Sequence, residues 1–148
     1  FLLMGNGDQR DELIRLIAEY GIAANTLLTD YVNGTSAQWR QAFEVADAFI
    51  MPSVSEPFGI APIESISFGT PVVISKQSGV SEILKNAFKA NYWDTWKMAD
   101  QLFGLLNYPE LNRQLLAESK KEIESHSWQE SCATLFRLYN RNARKLAA

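Results

Sequence analysis

The chain opens on four apolar residues, Phe1 to Met4, that break off at Gly5-Asn6-Gly7-Asp8. A short apolar run ended by glycines reads as a buried strand and its turn. From Asp8 the period changes to that of a helix. Leu13, Leu16, Ile17 and Tyr20 share one side, Asp11, Glu12, Arg15 and Glu19 the other, and Gly21 stops it. Residues 26–29 are a second short strand. After the Asn33-Gly34 turn, Thr35 and Gln38 have the spacing of a capping box for a helix that buries Trp39, Phe43 and Ala46. Residues 48–51 form a third strand, ended by Pro52. Pro62 suits a first helical turn and Gly69 its end. Residues 72–74 are a fourth strand, 80–85 a short helix and 87–90 an edge strand.

From Trp93 the pattern is helical to the end, punctuated by Pro109 and by His126-Ser127. Leu111, Leu115 and Ile123 fall on one stripe, and Trp128, Cys132, Leu135 and Tyr139 on another. Strand–helix alternation predicts an α/β fold with a parallel sheet over residues 1–90 and a helical cover over 91–148.

The length of 148 residues fits one domain, and 47% hydrophobic residues can build a core. A formal net charge of -3 argues against a nucleic-acid partner. No run reaches a transmembrane length. The single cysteine, Cys132, excludes an internal disulfide and suits the cytoplasm. Phe1 stands in place of a starting Met, inside an apolar run, which points to a piece of a longer protein.

Ligands of open parallel sheets bind beyond the carboxyl ends of the strands. Three such ends carry suitable residues: Gly5-Asn6-Gly7, the segment 53–59, and the segment 75–79. Gly59 lies just before a helix start, where free N–H groups favour phosphate or sugar oxygens and no Cβ blocks approach. Glu56 and Glu64 flank that turn, and a carboxylate accepts hydrogen bonds from vicinal hydroxyls. On spacing alone the plainer account is favoured, with Glu64 a solvated helix residue and Glu56 a cap acceptor.

The order Glu56-Pro57-Phe58-Gly59, Glu64, Gly69-x-Pro71-Val72-Val73, then Ser78-Gly79-x-x-Glu82 shifts that balance. It resembles the nucleotide-sugar-binding, carboxy-terminal domain of the retaining group 1 glycosyltransferases (GT-B fold, family 4 type). Val45 to Ser53, Met4 to Gly7 and His126-Ser127-Trp128 match flanking parts of the same pattern, so the likeness covers nearly the whole chain. It implies a Rossmann-like sheet. It also implies transfer of a sugar from a UDP-, ADP- or GDP-sugar to a glycan or lipid acceptor hydroxyl, with retention at the anomeric carbon. The nucleotide-sugar is then a substrate, and no cofactor and no metal is implied. By the same resemblance Glu56 is the catalytic residue beside the donor sugar. Glu64 holds the ribose hydroxyls. The backbone of Phe58, Gly59 and Ile60 faces the sugar and the distal phosphate, and Gly5, Tyr31 and Val32 lie near the base and diphosphate.

Two departures weigh on that picture. The strand–helix unit that carries the family's phosphate-binding Arg and Lys precedes the position of Phe1, and so does the acceptor domain. With its first, central strand missing from the order 3-2-1-4-5-6, the sheet should show a gap. That leaves self-association of the chain open, and it implies that the chain alone is inactive. The family's Gly-Gly is here Ser78-Gly79, which should narrow the approach to that loop. The full-length protein is expected in the cytoplasm, with a peripheral membrane position open. A nucleotide-sugar epimerase of the same architecture and a non-catalytic nucleotide-binding fragment are the competing readings.

The remaining chemistry-bearing residues have plainer roles. The lone His126 reads as a helix-start or packing residue. Cys132 reads as core, as do Tyr92, Trp93 and Trp96, for which a sugar-stacking surface is the alternative. Lys76 reads as a solvated loop lysine. The alternating charges from Arg113 to Glu124 read as a wet helix face.

Overall fold

The computed structural model of the chain describes residues 1–126 and 128–146, the last four of these by backbone alone. Ser127 of the closing motif lies outside the described residues. The chain divides into two units, residues 1–42 and 43–148.

In the first unit, strand β1 (Leu2–Met4) runs parallel to β2 (Leu27–Thr29), with helix α1 (Arg10–Glu19) between them. Arg10 ties the start of α1 to the end of β2, donating to the carbonyl of Thr29 at 3.0 Å and pairing with Asp30 at 3.6 Å. No residue of 1–42 is fully buried. The predicted apolar side of α1 is therefore only partly covered: Leu16 and Ile17 are half-buried, while Leu13 and Tyr20 are exposed. Two three-residue strands and one helix offer too little surface to close a core.

Helix α2 (Ala37–Val45) begins one residue later than the capping-box spacing implies. Ser36, not Thr35, accepts the Trp39 N–H at 3.2 Å, because Thr35 is held back by the Asn33 carboxamide oxygen at 2.9 Å. Of the three residues expected inside, Phe43 is buried and Trp39 and Ala46 are half-buried.

In the second unit, β3 (Phe49–Met51), β4 (Val72–Ser75) and β5 (Phe88–Ala90) form a parallel sheet in that order. β4 lies in the middle and all four of its residues are buried. Its side chains alternate between two cores, as a strand period of two requires. Val72 and Ile74 join Ile66, Val80 and Leu84 on one face. Val73 joins Ala90, Met98 and Leu105 on the other. Helix α3 (Ile60–Phe68) supplies the first face through Ile63 and Ile66, and α4 (Thr95–Asn107) the second through Met98, Leu102 and Leu105. Helix α5 (Pro109–Glu124) serves both, with Leu115 against one core and Leu116 and Ile123 against the other. The single stripe predicted from Leu111, Leu115 and Ile123 is thus divided. In place of the short helix expected over 80–85, a 3₁₀ turn spans Gly79–Glu82.

Polar groups close the joins. Thr70 is buried and donates to the carbonyl of Phe43, both within the second unit. The Glu122 carboxylate accepts the backbone N–H groups of Lys85 and Asn86 at 2.9 and 3.1 Å, and Ser119 Oγ donates to Asn86 O at 2.9 Å. Lys89 Nζ donates to Ser81 O at 2.8 Å. Burial holds this ammonium below the usual lysine range, Lys85 adds to the effect and Glu122 opposes it.

Helix α6 (Trp128–Leu146) departs most from expectation. Residues 128–142 are all exposed, including Trp128, Cys132, Leu135 and Tyr139. Among the described residues this stripe faces solvent, and Cys132 is not a core residue. Trp93 and Trp96 are exposed as well, so the core role expected of them does not hold. His126 sits at the end of α5 rather than the start of α6. Its Nδ1 lies 2.9 Å from Glu122 O, in the position of a helix-end cap. Among the described residues no helix is long and apolar enough to cross a membrane.

The two-core arrangement makes Ile74 a sensitive position. Ile74→Ala should cost about 2–5 kcal/mol in urea unfolding, whereas Cys132→Ser should stay within about 0.5 kcal/mol of wild type.

Candidate functional site

The loop that follows β3 is fixed by the loop that follows β4. Ser75 Oγ donates to Ser53 O at 2.7 Å. Glu56 and Ser78 then form a parallel bridge outside the sheet. The N–H of Gly79 donates to Glu56 O at 2.9 Å, and that of Val80 to Phe58 O at 2.6 Å. Gly79 is needed for this approach, because a Cβ on it would lie 2.1 Å from the carbonyl oxygen of Pro57. Ser78 does not narrow the loop, contrary to expectation. Its side chain is buried and its hydroxyl donates to Ser75 O at 2.7 Å, so it takes up no surface.

Gly59 is buried with φ +95°, a conformation that favours glycine. A Cβ at this position would stand 2.9 Å from Met51 Cε and 3.2 Å from Glu56 Cγ. The Glu56 side chain therefore lies along Gly59. Gly59 is also the N-cap of α3, and no side chain caps it. The first-turn N–H groups and the positive end of the helix dipole are thus presented at this loop. Phe58 and Ile60 on either side are exposed. Glu64 lies one turn along α3, on the side of Ile60 and Ser67, and is half-buried. The structure therefore gathers Glu56, Phe58, Gly59 and Ile60 on one pinned turn, with Glu64 on the helix that the turn opens.

In the first unit, Gly5, Tyr31 and Val32 line one recess of about 350 Å³ together with Met4, Gly34 and Trp39. Gly5 belongs also to a recess of about 490 Å³ formed by the glycine turn, Asp8, Gln9, Arg10 and neighbouring leucines. Trp39 and Arg10 were not singled out in the sequence. Trp39 has the spacing of a core residue, and Arg10 stands at a helix start rich in acidic residues. Lys76 is exposed, in keeping with a solvated loop lysine. Among the described residues no three His, Cys, Asp or Glu side chains gather as metal ligands would.

Residues 1–124 match the family described as glycosyl transferases group 1. The chain belongs to the group 1 glycosyltransferases. It is similar to an uncharacterized glycosyltransferase, MJ1607, of Methanocaldococcus jannaschii, with 32% identity over 86% of this chain and 33% of that protein. The chain thus spans about a third of that relative's length. Among solved structures, sucrose-phosphate synthase from Thermosynechococcus elongatus superposes with a TM-score of 0.80 at 20% identity, covering 97% of this chain and 38% of that one. Anabaena Alr3699/HepE in complex with UDP-glucose gives 0.76 at 20% identity, covering 92% and 40%. These likenesses establish a GT-B type α/β fold for this glycosyltransferase domain, with parallel sheets, flanking helices and a helical tail.

The clamp between the two loops yields a paired expectation. Gly79→Ala should destabilise this glycosyltransferase domain by about 1–3 kcal/mol, since backbone must move to admit the methyl group. Gly104→Ala, in α4 with its nearest neighbour atom at 3.7 Å, should instead stabilise by about 0.4–1 kcal/mol. Urea midpoints of the two variants check the contrast.

Proposed function

We propose that this chain binds the nucleoside-diphosphate sugar for a retaining group 1 glycosyltransferase of family 4 type, as its carboxy-terminal domain. One observation carries the reading: the Glu56 side chain lies along Gly59 at the uncapped start of α3, on a turn fixed by Gly79 and Val80. Such a turn offers N–H donors and a positive dipole end to phosphate and sugar oxygens. It also sets an acceptor carboxylate beside the sugar hydroxyls. The solved complex of Alr3699/HepE with UDP-glucose supports a nucleotide-sugar as the ligand class.

In this reading the Glu64 carboxylate accepts hydrogen bonds from the ribose hydroxyls, and Glu56 stands beside the donor sugar. The N–H groups at Phe58, Gly59 and Ile60 meet the sugar and the distal phosphate. The recess at Gly5, Tyr31 and Val32 serves the base and diphosphate. The reaction breaks the bond between the anomeric carbon and the diphosphate oxygen and forms one to the acceptor oxygen. The acceptor's proton leaves with the nucleoside diphosphate. Charge building on that leaving group needs cations or helix ends, and α3 offers one such end.

Two outcomes test these assignments. Glu64→Ala should weaken UDP binding by about 1.5–3 kcal/mol in calorimetry, the worth of a hydrogen bond to a charged acceptor. Glu56→Ala should leave nucleotide affinity nearly intact and lower turnover in the longer enzyme. Unchanged affinity in the Glu64 variant would remove the ribose role.

The chain by itself should transfer no sugar. Positioning of the two reactants supplies about 7–11 kcal/mol of a bimolecular barrier, and an acceptor-holding lobe accounts for half of that task. Mass-spectrometric assay with UDP-, ADP- and GDP-sugars and glucan or lipid acceptors checks this. Transfer above a Glu56→Ala control would show that the chain holds more of the machinery than proposed.

A further inference from the structure

The 3₁₀ turn Gly79–Glu82 is bonded at both of its ends. Its leading N–H groups, on Gly79 and Val80, donate to Glu56 O and Phe58 O. Its trailing carbonyls, on Ser81 and Glu82, fall beyond the reach of the turn's own N–H groups. Ammonium groups meet them instead. Lys89 Nζ donates to Ser81 O at 2.8 Å, and Lys85 Nζ donates to Glu82 O. Cations bonded to the last carbonyls suit the negative end of a helical turn. The two lysines differ in reach. Lys85 is three residues from its partner, on the same segment. Lys89 stands on β5, so its bond ties the turn to the sheet. Its own backbone is fixed from two directions, paired in register with Ile74 of β4 and accepting Gln101 Nε2 at its carbonyl at 3.0 Å.

The placement of Lys89 is unusual for a lysine. As the register partner of Ile74 it lies on the face of the first core, while Phe88 and Ala90 on either side belong to the second. An aliphatic residue would suit that place, yet here an ammonium ends on a carbonyl. Lys85 and Glu122 are the charges that act on it. Glu122 does not draw it away, since its oxygens accept the Lys85 and Asn86 N–H groups and the Asn86 carboxamide. Ser81 passes the bond on. Its Oγ donates to Lys76 O and its N–H to Ser78 O, both at 3.0 Å. A run of bonds therefore leads from Lys89 through Ser81 to the clamp on the Glu56 loop. A plainer role exists, because an inward charge on an edge strand also guards against pairing with another chain. Among the described residues β5 pairs only with β4. That role requires no bond to Ser81.

We propose that Lys89 is a positioning residue for the loop that carries Glu56 and Gly59: its ammonium holds the trailing end of the Gly79–Glu82 turn and so keeps Gly79 and Val80 bonded to that loop. The consequence for a nucleotide-sugar rests on the donor reading above; the mechanical link does not. Three variants of the whole chain test it. Lys89→Met keeps an unbranched stem without charge or donor, Lys89→Arg keeps a charged donor, and Lys76→Met removes an exposed lysine of the same loop. Amide hydrogen exchange followed by NMR reads the clamp directly, with the amides of β4 reporting global stability. In Lys89→Met the Gly79 and Val80 amides should exchange about tenfold faster relative to β4, and UDP affinity in calorimetry should fall about tenfold. Lys89→Arg should keep most of both, and Lys76→Met all of both.

The outcomes separate the two ideas. Exchange that rises equally at Gly79, Val80 and β4 makes Lys89 a stabilising residue only and overturns the inference. Unchanged exchange overturns it too, and self-association of Lys89→Met in sedimentation then identifies an edge guard. Faster exchange at the clamp with UDP affinity unaltered removes the positioning role and leaves the donor reading standing. A wild-type chain that binds no UDP removes the donor reading and the positioning role with it, while the exchange still decides the link from Lys89 to the clamp.

Discussion

The candidate site depends on one backbone-to-backbone join. Two loops leaving neighbouring parallel strands ordinarily diverge, since the sheet's hydrogen bonds stop at the strand ends. Here the ladder is resumed beyond the sheet, with Glu56 opposite Ser78 and two further bonds from Gly79 and Val80 to Glu56 and Phe58. Because Gly79 carries no Cβ, its backbone can close on Pro57 to a distance that no other residue allows. The turn so fixed is the one that forces Gly59 into a left-handed conformation and delivers it to the start of α3. The left-handed conformation that glycine permits at Gly59 is selected by these long-range bonds.

That join has support only because β4 is buried on both faces. Val72 and Ile74 anchor one core and Val73 the other, so the strand cannot shift register without turning every side chain to the wrong face. Ser75, last in the strand, converts that fixed register into a bond to Ser53, and Ser78 bonds back to Ser75. Burial of an aliphatic strand is thereby transmitted, through three serine and glycine positions, to where Glu56 stands. α5 matters for a related reason. Its Glu122 and Ser119 tie down the segment before β5, and β5 carries the lysine bonded to Ser81.

Much of this was legible in the sequence where period and backbone chemistry agree. Gly59, Gly69 and Pro62 announced the limits of α3, and the run Val72-Val73-Ile74 announced the buried strand. Errors arose where one residue could serve two partners. Thr35 had the spacing of a cap, but Asn33 bound it first and Ser36 took the role. Ser78 in place of glycine suggested obstruction, because sequence does not reveal that a serine's χ1 turns its hydroxyl inward. Leu115 faces one core and Leu116 the other, and a helix serving two cores has no single apolar face for periodicity to reveal. Trp93, Trp96 and the α6 residues looked like core because aromatic and aliphatic residues usually are. Their exposure depends on what else is present to cover them, and that lies outside local pattern. The sequence marks the turns at Gly5 and at Glu56–Gly59 as strand ends; the bonds that hold the Glu56 turn come from Gly79 and Val80, more than twenty residues on, and leave no local signal.

The edges of the two sheets give the same argument a wider bearing. Among the described residues β1 bonds only to β2, and β3 only to β4. Each of β1 and β3 therefore keeps one side of its backbone without a strand partner. Exposed edges of parallel strands are unusual, because such sheets are normally enclosed. In the first unit Leu2, Leu13, Ile14 and Leu27 are exposed as well. No residue of 1–42 is fully buried, although α1 carries the apolar period of a packing helix. A three-residue strand pair and one helix cannot enclose that apolar side by themselves, so the period of α1 is legible in the sequence while its burial is not.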